Sequence, residues 1–78
     1  MSDDYRERFQ TFGLKLAYYR KKKGMTQEQL ADALGMSWSF LAQVEANNGK
    51  IPRGVSLKTL FKIEEILGVP AGKLLEQD

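Results

Sequence analysis

Two helix signals separated by a short turn that contains Gly35 constrain this chain more than any other feature of its sequence. The segment from Thr26 to Gln29 has the form of a capping box, in which the side chain of Gln29 reaches back to its N-cap residue. Gly35 is a suitable end for that helix, and Ser37 is a good N-cap for the next. Two helices joined by so short a turn must cross steeply. The residues predicted at the crossing are Ala31, Leu41 and Val44.

Another helix is predicted ahead of this pair, from about Tyr5 to Lys23. Apolar residues recur through it at helical spacing and form one stripe, made of Phe9, Phe12, Leu16 and Tyr19. The cations from Arg20 to Lys23 precede Gly24 and indicate the C-terminus of the helix, where positive charge meets the negative end of the helix dipole.

Two further helices are predicted after an exposed loop at residues 47–55, which contains Asn, Gly and Pro. Ser56 caps the fourth helix and Gly68 closes it. The residues predicted on its inner face are Leu57, Leu60, Ile63 and Leu67. Pro70 suits the first turn of a short fifth helix. Because no strand pattern is found, the predicted fold is all-α, a compact five-helix bundle that forms a single domain over residues 1–78.

Composition argues against several classes of function. The chain has no cysteine and no histidine, so it lacks thiolate ligands, the commonest nitrogen ligand of metals and the commonest general base. We therefore expect no metal, no cofactor and no enzymatic activity. No apolar run approaches the length of a membrane span, and the N-terminus is acidic where a signal peptide would be basic. A cytoplasmic protein with no membrane partner is predicted.

The charge distribution favours a partner on one side of the domain. The net charge is only +2, but a basic cluster runs from Arg20 to Lys23. A second basic group is made of Lys50, Arg53, Lys58 and Lys62. Acidic residues collect near the two termini. A basic face with acidic residues elsewhere is typical of a domain that lies on phosphates with one side only.

The order of these fragments resembles one known family. The fragments are Phe12-Gly13, Leu16, Arg20, residues 24–31, residues 34–37, Leu41, Val44-Glu45, Leu57, Thr59-Leu60, Ile63 and Leu67-Gly68-Val69. Together they resemble the phage Cro and repressor-like (Xre-type) helix-turn-helix proteins. The resemblance implies a lambda-repressor-like fold and a sequence-specific transcriptional regulator, with its third helix in the major groove of double-stranded DNA. Repression is the expected mode of action, and a homodimer is the expected assembly.

The resemblance also implies roles for individual residues. Gln27 matches a position that usually contacts a DNA phosphate. The outward positions of the recognition helix are matched by Ser37, Trp38, Ser39 and Gln43. Asn48 and Lys50 match a loop that contacts backbone phosphates, while Arg20 and Glu45 match a pair that commonly forms a partly buried ion pair. Further phosphate contacts are expected from Lys22, Lys23 and Arg53. The predicted dimer surface consists of Val69, Leu74 and Leu75.

Residues 37–44 contain no Arg or Lys, so the commonest contact to guanine is missing. Gln43 is favoured as a base contact because its amide can pair with adenine, which predicts A·T pairs in the half-site. Trp38 could be a core-edge residue, a groove contact against thymine methyls or part of a protein interface. A second hypothesis is therefore a protein-interaction module, such as an antitoxin or a transcriptional cofactor, with Trp38 and Phe40 as anchors.

Overall fold

The computed structural model describes residues 4–46 and 55–76. These residues form five α-helices: α1 (Asp4–Lys22), α2 (Gln27–Leu34), α3 (Trp38–Glu45), α4 (Leu57–Leu67) and α5 (Ala71–Leu75). No strand occurs among them, and the all-α, five-helix prediction is confirmed. Over the same residues, no helix is both long enough and apolar enough to cross a membrane.

Local capping signals set the ends of the central helices. The Thr26 hydroxyl accepts the backbone N–H of Gln29 at 3.0 Å, and the Gln29 side chain accepts the backbone N–H of Thr26 at 2.9 Å. This is the predicted capping box. Ser37 caps α3 in the same way, with its hydroxyl accepting the backbone N–H of Phe40 at 3.0 Å. The turn between α2 and α3 passes through Gly35, whose φ of 71° is a conformation that favours glycine.

The core lies where the faces of all five helices meet. Its buried members are Phe12, Leu16, Leu30, Ala31, Leu34, Leu41, Val44, Ile63, Leu67 and Leu74. α1 packs against α3 and α5, and α4 packs against α2 and α5. The predicted crossing residues Ala31, Leu41 and Val44 are all buried, in agreement with α2 packing on α3.

α1 approaches the end of α3 very closely at Gly13. A Cβ atom added to Gly13 would clash with the backbone carbonyl oxygen of Val44, which belongs to α3. Only a residue without a side chain therefore lets the two helices pack at this distance. The same approach sets the position of the neighbouring Glu45, which is one of the two buried charged residues in the described chain.

Three sequence predictions about burial are wrong. The sequence predicts Leu57 on the inner face of α4, but it is 69% exposed because it stands at the first position of the helix, beyond the core. The sequence predicts Leu74 on a dimer surface, but it is 0% exposed and is a core residue of the monomer. Phe40, a suggested anchor for a protein partner, is half-buried and packs against the core.

The start of α5 also differs from the prediction. The sequence predicts Pro70 in the first turn of the helix, but Pro70 is the N-cap and precedes that turn.

Candidate nucleic-acid interface

The outer side of α3 carries a small, uncharged surface. Trp38 is 57% exposed, and Ser39 and Gln43 are also exposed, while Leu41 and Val44 point into the core. We call Trp38, Ser39 and Gln43 the recognition surface. Ser37 lies beside it at the start of the helix, and its oxygen is used as the cap of α3. The hydroxyl hydrogen of Ser37 is still available as a donor.

The N-termini of α2 and α3 are joined by a hydrogen bond between side chains. The indole Nε1–H of Trp38 donates to Oε1 of Gln27 at 3.0 Å. Gln27 is the first residue of α2, and Trp38 is the first residue of α3. Free backbone N–H groups at a helix N-terminus are suited to an anion. The bond therefore fixes the exposed indole next to the end of α2 that can face a phosphate.

The other end of the Gln27 amide is also engaged. Its Nε2 donates to Oε1 of Glu45 at 3.0 Å. An indole can only donate and an ionised carboxylate can only accept, so the two partners specify which end of the amide is oxygen and which is nitrogen. One Nε2 hydrogen has no partner among the described residues and can still donate to a ligand.

Glu45 is held in turn by Arg20, which spans the space between α1 and α3. The guanidinium Nε donates to Oε2 at 2.8 Å, and Nη2 donates to Oε1 at 2.9 Å. The remaining Nη1 donates to the backbone carbonyl of Met25 at 2.7 Å. Arg20 is 7% exposed and Glu45 is 9% exposed, so this bidentate pair is almost completely buried. Arg20 is thus a structural cation that is not available to a phosphate.

These bonds form one continuous chain, which we call the Trp38–Arg20 network: Trp38, Gln27, Glu45, Arg20 and the carbonyl of Met25. It begins on the recognition surface and ends in the turn between α1 and α2. Both carboxylate oxygens of Glu45 and all three guanidinium nitrogens of Arg20 take part in it. The position of the exposed Trp38 ring is therefore set by a buried ion pair two residues away in the network.

Only some of the residues expected to contact phosphates lie in the described part of the chain. Lys22 and Lys23 are exposed at the end of α1, where they border a shallow pocket with Tyr19, Leu67 and Val69. The Nζ of Lys22 also lies 5.8 Å from the centroid of the Tyr18 ring. Asn48, Lys50 and Arg53 lie outside the described residues.

Glu64 makes a contact that the sequence did not predict. Its half-buried carboxylate accepts the backbone N–H of Ala71 at 2.6 Å. This bond joins α4 to the first residue of α5 and satisfies one of the donors that the start of a helix leaves free. It fixes the position of α5, which carries Leu74 into the core.

The family model described as Helix-turn-helix matches residues 16–74, a stretch that contains the α2–α3 pair and the whole Trp38–Arg20 network. The chain belongs to the Xre-type helix-turn-helix family.

Two curated relatives of this helix-turn-helix chain are the HTH-type transcriptional regulators SinR of Bacillus subtilis (strain 168) and of Bacillus licheniformis. The chain is 32% identical to each over 65 residues, which is 83% of its own length. The match covers 56% of each relative, so this chain spans about half the length of the curated relatives it matches.

The family resemblance predicts the ion pair between Arg20 and Glu45 and gives Gln27 a role at the start of α2. It does not predict that Gln27 joins this ion pair to Trp38. A signal was present in the sequence, since Gln27 and Trp38 each begin a helix of the same pair. In a steeply crossing pair with a short turn, the first residues of the two helices can come together. Whether they do so depends on the crossing itself, which only the folded chain shows.

Proposed function

We propose that this protein is a sequence-specific, double-stranded DNA-binding transcriptional regulator that inserts α3 into the major groove, with repression as its mode of action. The observation that supports this function most strongly is the recognition surface on α3, held beside the N-terminus of α2 by the bond between Trp38 and Gln27. Helix-turn-helix proteins read bases with the first turns of the second helix and contact the backbone with the first. The names of the SinR relatives support the same function.

Gln43 is the residue proposed to read a base through hydrogen bonds. It is exposed, and its amide offers a donor and an acceptor that match the N7 and N6 groups of adenine. Ser39 and the free hydroxyl hydrogen of Ser37 can add single hydrogen bonds at the same surface.

Contacts to the DNA backbone are proposed for a further set of residues. At the start of α2, the backbone N–H groups that the capping box leaves free and the unpaired Nε2 hydrogen of Gln27 would donate to a phosphate. The residues proposed to contact further phosphates are Lys22, Lys23, Asn48, Lys50 and Arg53. Such contacts fix the register of the protein on DNA but carry no sequence information.

The experiment that tests this function compares two variants on two duplexes. Bound sites are first selected from random DNA, and Gln43→Ala and Lys50→Ala are then measured on the selected and on a scrambled duplex at several salt concentrations. Gln43→Ala should cost about 1–3 kcal/mol on the selected duplex and little on the scrambled one. Lys50→Ala should weaken both similarly and reduce the salt slope by about one unit.

Lys73→Ala is the matched control, because it removes the same charge from α5, outside the helix-turn-helix pair. It should leave affinity and salt slope close to those of wild type. Equal weakening of the two duplexes by Gln43→Ala would contradict the assignment of α3 as the base-reading helix.

A homodimer is proposed for the DNA-bound state, since a two-fold protein would match half-sites about one helical turn, or ~34 Å, apart. Leu74 lies in the core, so only two residues of the predicted dimer surface can contact a second copy. They are Leu75, which is 45% exposed, and Val69, which is half-buried. Leu75 lines an apolar groove of about 340 Å³ together with Tyr5 and Leu57, which are 60% and 69% exposed. A second copy would bury these side chains against their equivalents around a two-fold axis.

A protein-interaction module, such as an antitoxin or a transcriptional cofactor, is the second candidate. It is favoured by the exposed Trp38 ring and by a recognition surface without positive charge. The same titrations decide between the two functions, because this candidate requires that wild-type protein bind no duplex in a salt-dependent, sequence-dependent manner.

A further inference from the structure

Trp38 is 57% exposed on α3, yet its single polar atom is already engaged. The only hydrogen-bonding group of an indole is its Nε1–H, and in Trp38 this group donates to Gln27 at 3.0 Å. The rest of the exposed ring is carbon. Any molecule that meets α3 therefore finds an apolar surface at Trp38, although tryptophan could in principle donate a hydrogen bond.

The Trp38–Arg20 network keeps the N–H of Trp38 turned inward. If Trp38 donated to DNA, Oε1 of Gln27 would lose its donor, and the new bond would only replace the old one. The Gln27 amide cannot compensate by turning over, because Oε1 would then face the carboxylate of Glu45, which also only accepts. The ring is thus held in one orientation before DNA arrives, which lowers the entropy lost on binding.

In the major groove, the apolar group that distinguishes one base pair from another is the methyl group at C5 of a pyrimidine. Thymine carries it, and 5-methylcytosine presents the same group on a G·C pair. Uracil and cytosine lack it. An apolar ring fixed at the start of a recognition helix matches this chemistry, whereas it offers nothing to the hydrogen-bonding edges of adenine or guanine.

We propose that Trp38 recognises the C5-methyl group of a pyrimidine in the major groove through its carbon surface alone, and that Gln27 and Glu45 are positioning residues that hold the ring for this contact. The proposal rests on the DNA-binding function proposed above. It assigns the hydrogen-bonding part of base recognition to Gln43 and the methyl-reading part to Trp38.

The first experiment removes one methyl group at a time from the selected duplex. Each thymine of a half-site is replaced by deoxyuridine, which leaves every hydrogen bond of the base pair unchanged. Wild-type protein should lose about fourfold in affinity at one thymine, roughly the effect of burying one methyl group. Trp38→Ala should show no loss at that thymine. Gln43→Ala is the matched control and should keep the loss, because it removes a different reader.

The second arm separates the two sources of the methyl group. At the same position, a C·G pair and a 5-methylcytosine·G pair are compared. Wild-type protein should bind the methylated pair about fourfold more tightly, and Trp38→Ala should bind both equally. Tighter binding of thymine alone, with cytosine and 5-methylcytosine equal, would overturn the proposal because a feature other than the methyl group would then be read.

The positioning role is measured on the free protein as well. Trp38 is the only tryptophan of the chain, so its indole N–H gives one NMR resonance and its fluorescence is the only tryptophan signal. Gln27→Met removes both hydrogen bonds of the amide at similar volume. It should shift the indole resonance towards that of a solvent-exposed indole and reduce the methyl discrimination. An unmoved resonance with full discrimination would refute the role of Gln27.

The outcomes separate this inference from the function it rests on. If wild-type protein binds no duplex, the DNA-binding function fails. If it binds selected DNA but wild type and Trp38→Ala show the same deoxyuridine profile, the function stands and the assignment of Trp38 is refuted. Helical circular dichroism of each variant confirms that it is folded, which is expected for Trp38→Ala because the ring is 57% exposed.

Discussion

Breaking the Arg20–Glu45 pair from one side should be much more damaging than removing both charges together. In Glu45→Ala, Nε and Nη2 of Arg20 lose their acceptors, and Nε2 of Gln27 loses its acceptor as well. The guanidinium of Arg20, a residue that is 7% exposed, would keep only the hydrogen bond from Nη1 to the Met25 carbonyl. Removing one partner of such a buried pair costs about 3–5 kcal/mol.

This loss is large for a chain of 78 residues, because domains of this length have a free energy of unfolding of roughly 4–12 kcal/mol. At about 4–8 °C per kcal/mol, the melting temperature of Glu45→Ala should fall by roughly 12–40 °C. The measurement is urea and thermal unfolding followed by far-ultraviolet circular dichroism. Glu65→Ala is the control, since it removes an exposed carboxylate and should change stability by about 0.5 kcal/mol or less.

The double variant Arg20→Met/Glu45→Leu gives the sharper test. It leaves no charge in the interior and keeps apolar volume in the space between α1 and α3. Replacing a buried ion pair by apolar residues is often neutral or stabilising, so the double variant should be clearly more stable than Glu45→Ala alone. A single variant that unfolds within about 1 kcal/mol of wild type would refute the reasoning. So would a double variant no more stable than the single one, because the loss would then come from packing and not from an uncompensated charge.

Three further predictions concern stability and assembly. Gly13→Ala should lower the free energy of unfolding in urea by about 1–3 kcal/mol or more, because the new Cβ would meet the carbonyl oxygen of Val44. Unchanged stability would show that α1 and α3 are less closely packed. Ser37→Ala should cost about 1 kcal/mol through loss of the α3 cap, and a variant as stable as wild type would show that the cap is replaced by water. Leu75→Asp should leave the helix content intact but weaken self-association, measured by sedimentation on operator DNA. Leu74→Asp should unfold the chain, because it buries a charge in the core. A Leu75→Asp variant that associates like wild type would mean that the dimer surface lies elsewhere.

Local signals in the sequence were sufficient for the helices and their ends. The capping box at Thr26, the cap at Ser37 and the glycine turn at Gly35 depend on hydrogen bonds and backbone angles within a few residues, so they could be predicted without the rest of the chain. The stripe of Phe12 and Leu16 was predictable for a similar reason, because α1 is long enough for its apolar period to define a face.

Burial at the ends of helices and in short helices required the tertiary structure. α5 has only five residues, so periodicity could not decide that Leu74 is buried and its neighbour Leu75 exposed. Leu57 continues the apolar face of α4 in sequence, but the core ends before it. In both cases the deciding quantity is where the neighbouring helices lie, which no local pattern contains.

The candidate site divides in the same way. The sequence alone determined which residues stand at the outward positions of α3, because helix geometry and the family pattern both place Gln43 there. Only the tertiary structure decided that Trp38 gives its N–H to Gln27 and that Gln27 joins it to a buried ion pair. The physical reason is that a hydrogen bond between distant residues requires both the distance and the direction of two side chains, and these follow from the packing of α1, α2 and α3 on one another.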